Sequence, residues 1–406
     1  MQILELILII VYFIVFSLAC FRNLKWGIFW IIFTLPIYLL RFKIFNLPTT
    51  FLEIQILILF LTWLVKILKN KETKIAKEIF NKNKFLFISS GIFLIVATIS
   101  IFISPNLRAA LGTWKAYFFE PLLFLIVFVS VIKKEDLEDV FKCLSVAVFL
   151  LSLFAIIQKF TGIFISNPFW AASATRRVTS VFPYPNALAL FLAPIVVLLL
   201  GNFIKNFKNK NLLNLIFNFL VLISTILAIY FTKSKGALLA ILGGIIFYAI
   251  FYKGYRKIFV SILIILLFIF LLFYFLTDFD LSESLKGSAT VEGGDSVSTR
   301  LEMWQEAWQM LKTRPILGAG LANYQTAVAQ FHQKDYIEIY LYPHNIFLNF
   351  WTEIGLLGLL AFLGIIIWFF KQSNTQLAII IKASMVVLLM HGLVDVPYFK
   401  NDLALL

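Results

Sequence analysis

Long apolar blocks alternate with short polar connections along almost the whole chain. Twelve blocks fall near 3–20, 24–40, 51–68, 85–103, 116–132, 143–160, 187–203, 212–231, 236–252, 258–277, 345–370 and 376–392. A helix rises about 1.5 Å per residue, so blocks of this length match a hydrocarbon layer about 30 Å thick. A dry bilayer core admits only helices or closed barrels, and these blocks lack the two-residue alternation of barrel strands. The pattern therefore predicts an all-α fold, a polytopic transmembrane helical bundle of about 12 spans. The second block is the weakest, because it is short and contains Pro36. Residues 1–20 have neither a basic start nor a small-residue cleavage site, which predicts a retained helix and not a cleaved signal peptide.

Charge then orders the connections. Those at 21–25, 66–84, 133–142, 205–210, 253–257 and 371–382 hold 20 of the 35 Lys and Arg residues. They hold only six acidic residues, so the whole excess of +14 sits on one face. The positive-inside rule makes that face cytoplasmic. Anionic lipid headgroups account for the basic balance, and a nucleic-acid partner is not needed. The opposite connections, 41–50, 104–115, 161–186, 232–235 and 278–343, are then extracytoplasmic, which starts the N-terminus outside. The last of them is one long extracytoplasmic loop. Composition agrees: 61% of the 406 residues are hydrophobic and 14% charged, against roughly 45–50% and 25% in soluble domains. Cys20 and Cys143 lie near cytoplasmic helix ends, and two such cysteines make no disulfide or metal framework. A new apolar run begins at the final residues 401–406, and a further helix is expected to follow.

Several outer connections carry more polar residues than a connector needs. Arg176 and Arg177 are the only adjacent arginines, and they sit where positive charge is usually avoided. They fit either headgroup snorkelling or a guanidinium fork for a phosphate or diphosphate. Lys233 and Lys235 lie in a tight turn, Thr-Lys-Ser-Lys-Gly, on the same side. Asp278-Phe279-Asp280 has the Asp-x-Asp form of a metal-dependent nucleotide-sugar site but lacks the soluble nucleotide-binding domain such a site needs, so it reads as a solvated helix end. A Gly/Ser-rich linker, 284–298, follows.

Residues 299–313 read as a helix, with Thr299 and Glu302 at capping-box spacing and Leu301, Trp304, Trp308 and Leu311 forming an apolar stripe. Pro315 ends it, and Arg300 falls in its first turn, where the helix dipole disfavours a cation. A short helix containing Tyr324 is predicted over 321–331. Of the three histidines, His332 reads as a surface residue. His391 reads as the partner of Asp395, one helical turn on. His344, in Tyr-Pro-His-Asn at the point of re-entry to the membrane, is a candidate general base near neutral pH.

These residues, taken in order, resemble the O-antigen ligase and O-antigen polymerase family of bacterial envelope glycosyltransferases. Arg177-Val178-Thr179-Ser180-Val181-Phe182-Pro183-Tyr184-Pro185-Asn186 is similar to the family's Arg-x-x-Gly-x-Phe-x-x-Pro-Asn, with Ser180 for Gly. Thr232-Lys233-Ser234-Lys235-Gly236 is similar to Thr-x-Ser-Arg-Gly, with Lys235 for Arg. Arg300, Trp304, Ala307, Pro315, Gly318-x-Gly320 and Tyr324 resemble the large-loop signature. His344-Asn345 with Glu353-x-Gly355-x-x-Gly358, and His391-Gly392 with Asp395-x-Pro397, resemble the two closing motifs. The likeness covers about 170–400. It divides the chain into N-terminal transmembrane helices, 1–170, and an O-antigen ligase-like region, 171–406, that includes the loop 278–343.

The resemblance implies a GT-C-like, metal-independent inverting glycosyltransferase, multi-pass in the cytoplasmic membrane with its active site facing outward. Its implied donor is a glycan on undecaprenyl diphosphate, its acceptor a glycan or a lipid core, and it needs no cofactor. Carried over, Arg177 and the cation at Lys235 hold the donor diphosphate, with Arg176 able to share the task. His344 is the general base, and Arg300, Trp304, Tyr324 and Asn345 are supporting residues. The alternative is a polytopic flippase or transporter of lipid-linked sugar. Transporters favour repeated halves and ionisable groups at mid-membrane, and neither is evident here.

Overall fold

The computed structural model describes residues 3–44, 47–70, 81, 83–207, 212–252, 261, 296–333 and 338–405. Among the described residues, eight helices of 19–28 residues are long and apolar enough to cross a membrane. In chain order the α-helices are α1 (Ile3–Arg22), α2 (Leu24–Phe33), α3 (Phe51–Asn70), α4 (Lys84–Ile103), α5 (Leu107–Trp114), α6 (Glu120–Val131), α7 (Leu137–Thr161) and α8 (Pro168–Ala171). They continue as α9 (Pro185–Phe207), α10 (Leu212–Thr232), α11 (Lys235–Phe251), α12 (Ser296–Thr313), α13 (Tyr324–Val328), α14 (Ile346–Phe370) and α15 (Gln376–His391). The chain is a polytopic, predominantly helical membrane protein. α2, α11 and α15 are apolar but shorter than a full span. The predicted span 258–277 lies, apart from Ser261, outside the described residues, as do Asp278-Phe279-Asp280 and the linker up to 295.

One expected span is shorter here. The weak second block is a ten-residue helix followed by a 3-10 turn, Leu35–Leu39, with Pro36 in its first turn. In the connection after it, Arg41–Ile44 and Leu47–Thr50 form an antiparallel hairpin, β1 and β2, with Arg41 opposite Thr50. The alternation of Arg41, Phe42, Lys43 and Ile44 suits a half-buried strand.

α9 is the central helix, with 72% of its apolar window buried. α1 is the reverse, 11% buried, and presents Leu4, Leu8 and Leu18 outward as a lipid-facing helix does. Polar contacts respect the two ends set by the charge count. Lys25 reaches Asp136 at 2.6 Å, joining two of the basic connections. The spans are not free of charge, however. Lys115 pairs with buried Glu53 at 2.8 Å, and the Glu53 carboxylate also accepts from the Thr49 hydroxyl and the Thr50 amide.

Helix interruptions are answered by other parts of the chain. Pro121 has no N–H to give to Tyr117, four residues back, and the ladder there widens into a π-helical turn, Lys115–Phe119. The Tyr117 carbonyl instead accepts from the Tyr398 hydroxyl at 2.7 Å, which ties the C-terminal segment to this span. α14 breaks at Gly355, where φ is 71° and ψ −179°. Two backbone bonds from the loop close the break: the Ala319 amide donates to the Thr352 carbonyl at 2.7 Å, and the Leu356 amide to the Ile316 carbonyl at 2.9 Å.

The glycines of the Gly-x-Gly and Glu-x-Gly motifs permit this approach. A Cβ on Gly355 would stand 2.2 Å from the Ile316 carbonyl oxygen, and one on Gly318 2.5 Å from that of Thr352. Buried Glu353 completes the junction by accepting from the Ala322 amide at 2.5 Å.

The loop helix α12 differs from its predicted form. It starts at Ser296, so Thr299 lies inside it and not at its N-cap, and Arg300 is past the first turn. Its buried residues include Met303, Ala307, Met310 and Leu311, and the last three pack with Tyr324 and Val328 in a small core. Leu301 and Trp308 of the predicted stripe are 49% and 46% exposed, and Trp308 lies edge-on to Trp351 at 5.7 Å. The stripe is thus divided: Leu311 is buried in the small core, while Leu301 and Trp308 stay on the outer surface of the helix. His332 is not a bare surface residue either: its Nδ1 lies 3.0 Å from Glu306 on α12.

Gly355→Ala combines a steric clash with a φ/ψ region open essentially to glycine, at a cost on the order of 3 kcal/mol. The expected outcome is a clearly lower melting temperature of the detergent-purified protein, read by size-exclusion chromatography after heating. An unchanged melting temperature would show that glycine does not hold this break.

Candidate active site

Residues 176–184 cross the end of the bundle before α9 begins at Pro185. Gln158 of α7 fixes this segment: its side-chain oxygen accepts from the Thr179 and Ser180 amides at 3.0 and 2.7 Å, and its amide donates to the Ser180 carbonyl at 2.9 Å. Ser180 has φ 51°, a left-handed conformation that explains why the related motif carries glycine here. Serine is accommodated because its hydroxyl donates to the Leu151 carbonyl at 2.8 Å.

The two arginines separate. Arg176 turns to the end of α7, donating to the carbonyls of Lys159, Phe160 and Ala171 at 3.0–3.1 Å, and its guanidinium covers Gly162. It caps a helix and does not join the candidate diphosphate-binding group. Arg177 donates to the Thr232 carbonyl at 2.7 Å and to the Asn186 side chain at 2.9 Å. It thereby links the 177–186 segment to the 232–236 turn. Partial burial lowers its pKa from the ordinary arginine value. Lys233, at φ 55°, and Lys235, in the first turn of α11, are both exposed at this turn.

Asn345 is the N-cap of α14, its side chain accepting from the Phe347 and Leu348 amides at 3.0 and 3.1 Å. Its amide donates to the Leu393 carbonyl, and the Ile346 amide donates to the Gly392 carbonyl at 2.7 Å. This double bond seats His344 against the turn that follows α15. His344 has φ 47°, and its Nδ1 lies 3.6 Å from the buried Asp395 carboxylate. Burial pushes the Asp395 carboxyl up, but His344, Lys400 and His391 together outweigh it and hold the group below the usual carboxylate range.

Among the described residues the predicted His391–Asp395 hydrogen bond is absent, and the two groups interact only through space. α15 ends at His391, so the helical spacing does not persist to Asp395, and the buried His391 Nδ1 has no hydrogen-bond partner among the described residues. His391 instead packs on Gly236, the last residue of the Thr-Lys-Ser-Lys-Gly turn.

Arg300 donates to the Val394 carbonyl at 2.9 Å, docking the loop helix beside Asp395. Tyr324 is buried in the loop core and Trp304 is partly buried on α12, so both support the loop and neither joins the cluster.

Three residues without an assigned role in the motifs stand at the centre. Lys400 donates to the hydroxyls of Tyr184 and Tyr342 at 2.5 and 2.9 Å, and the two hydroxyls are 3.3 Å apart. The Tyr342 ring lies 5.0 Å from the His344 ring, with Tyr340 at 5.4 Å on the same imidazole. The 177–186, 342–345 and 395–400 segments thus meet in one partly exposed cluster. Among the described residues no group of three or more His, Cys, Asp and Glu side chains forms a metal-ion site.

The fold and this cluster define a polytopic membrane protein with a chemically equipped polar site at one end of its bundle. Residues 219–363 match the family model described as O-antigen ligase, and this match supports the O-antigen ligase/polymerase family and, with it, an O-antigen ligase-type membrane glycosyltransferase. The match takes in the 232–236 turn, the large-loop signature and His344, whereas Arg177, Asp395 and Lys400 lie outside it. No curated protein matches the chain.

Arg176→Ala would strip partners from carbonyls at the end of α7, a loss of about 1–2 kcal/mol. It is expected to lower the melting temperature by a few degrees, whereas Lys235→Ala at an exposed position leaves it unchanged. Equal melting curves for the two variants would refute the capping role of Arg176.

Proposed function

We propose that the chain transfers or polymerises glycan from an undecaprenyl-diphosphate-linked donor at the outer face of the cytoplasmic membrane. The observation that supports this reading is that the segment carrying Arg177 also carries Tyr184, which Lys400 joins to Tyr342 beside His344, while His344 Nδ1 lies 3.6 Å from Asp395. The cluster supplies what an acyl-free, phosphate-leaving glycosyl transfer needs: cations for the departing group and an oriented base for the acceptor.

Nδ1 lies 3.6 Å from the Asp395 carboxylate, beyond hydrogen-bond length, so in this reading Asp395 acts as a nearby charge that favours the imidazolium and Nε2 is the proton acceptor. His344 takes the proton of the acceptor hydroxyl as that oxygen attacks the anomeric carbon. The bond from the anomeric carbon to the donor phosphate oxygen breaks, and its electron pair leaves with the lipid diphosphate. Arg177 and Lys235 stabilise the charge that grows there, an electrostatic contribution that costs no reorganisation when the donors are already in place. Attack from the face opposite the leaving group inverts the anomeric configuration. Lys235 supplies charge without the bidentate fork of arginine, so Arg177 carries the directional contacts.

Purified protein incubated with a lipid-diphosphate-linked repeat unit is expected to form glycan, a ladder from donor alone marking a polymerase and a single acceptor-dependent product marking a ligase. His344→Ala is expected to abolish transfer in a protein that still folds, and retention of wild-type activity would remove the base from the mechanism. Asp395→Asn keeps the shape but weakens the orienting charge, and kcat is expected to fall about 10²–10⁴-fold. Arg177→Ala is expected to raise the donor concentration required for half-maximal rate, and an unchanged requirement would take Arg177 out of the diphosphate site.

A further inference from the structure

Lys400 lies beyond every motif that suggested the site, yet it is the residue that joins them. Its ammonium has three donors, and two go to the phenol oxygens of Tyr184 and Tyr342. These oxygens lie within hydrogen-bond distance of each other, so one phenol can donate to the other. That accounting leaves one phenol O–H and one ammonium N–H as donors not used among the described residues. Both are polarised, because each phenol oxygen already accepts from a cation.

The charge around this triangle is also specific. Lys400 is held by neutral hydroxyls, and among the described residues no carboxylate lies within ion-pair distance of it. Asp395 and Asp402 act on it through space. Asp395 is engaged with His344, and burial pushes the Asp402 carboxyl up to about 7, so neither fully offsets the ammonium at neutral pH. Burial pushes the Lys400 ammonium toward the neutral form, but the two phenols and Asp395 outweigh it, and Lys400 stays charged. Tyr184 adjoins the first turn of α9, whose N-terminal end adds positive potential, and Asn186 in that turn holds Arg177.

We infer that Lys400, with the hydroxyls of Tyr184 and Tyr342, forms a further phosphate-oxygen site that binds the diphosphate of the lipid-linked donor together with Arg177. The inference rests on the donor assigned under the proposed function. In this arrangement the ammonium and phenol O–H donate to phosphate oxygens on the side nearest His344, while the Arg177 fork engages them from the side of the 232–236 turn. Lys400 then ties the departing group to the segment that carries the base, so donor and acceptor chemistry share one scaffold.

Binding of farnesyl diphosphate to the full-length, detergent-purified chain, with farnesol as the uncharged control, tests the inference. Wild-type protein is expected to prefer the diphosphate. Lys400→Met is expected to weaken diphosphate binding about tenfold or more without altering farnesol binding, and Lys400→Arg to recover most of the loss. Arg177→Ala serves as the comparator. If Arg177→Ala weakens binding and Lys400→Met does not, the role of Lys400 is wrong while the donor assignment stands. If wild-type protein binds farnesol as well as farnesyl diphosphate, the donor assignment fails and takes this inference with it. Should Lys400→Met lose its folded peak, Tyr342→Phe, which removes only one hydroxyl, decides: a several-fold loss supports the site and unchanged affinity overturns it.

Discussion

A backbone N–H or C=O left unpaired in the hydrocarbon region costs several kcal/mol, and the architecture of this chain follows from how each such group is satisfied. The break at Gly355 frees groups inside α14, and the 316–319 segment supplies their partners. Pro121 orphans the Tyr117 carbonyl, and Tyr398 reaches it from the C-terminal segment. The end of α7 exposes carbonyls that Arg176 covers. In each case the repair is made by a distant segment, and each repair brings part of the site into place. The loop repair sets α12 and Arg300 beside Asp395, the Tyr398 repair sets Lys400 between two tyrosines, and the Arg176 repair leaves Arg177 facing the 232–236 turn.

The fold was legible in the sequence to the extent that it depends on local composition. Apolar length marks the helices, and uneven lysine separates the two ends. Capping and face assignments were less legible. Thr299 and Glu302 have the spacing of a cap, but the helix continues upstream to Ser296, and nothing local announces that. The stripe on 301–311 did not announce that the loop makes its own core, in which Ala307, Met310 and Leu311 pack on Tyr324 and Val328. The hairpin at 41–50 was hidden by its brevity.

The site was legible as motifs and not as partnerships. Arg177, Lys235, His344 and Asn345 stand out by type and position, and Asn345 does what an asparagine before a helix does. Asp395 was matched to His391 because four residues is one helical turn, yet the helix had already ended. Lys400 carries no local signal at all. Its partners are 216 and 58 residues away, and a lone lysine near an apolar run reads as an interfacial anchor. Its place becomes visible only when Tyr398, two residues earlier, is seen filling the gap made by Pro121.

The junction at Gly355 has a bearing on how such a protein diverges. The loop is fastened to the bundle chiefly by main-chain atoms: the Ile316 carbonyl, the Ala319 amide and the Ala322 amide, the last received by Glu353. Main-chain fastenings do not depend on which side chains the loop displays. Outward positions such as Leu301, Ile316 and Leu317 are therefore insulated from the requirement that keeps α14 intact. The loop can exchange its displayed surface while His344 stays where the start of α14 puts it.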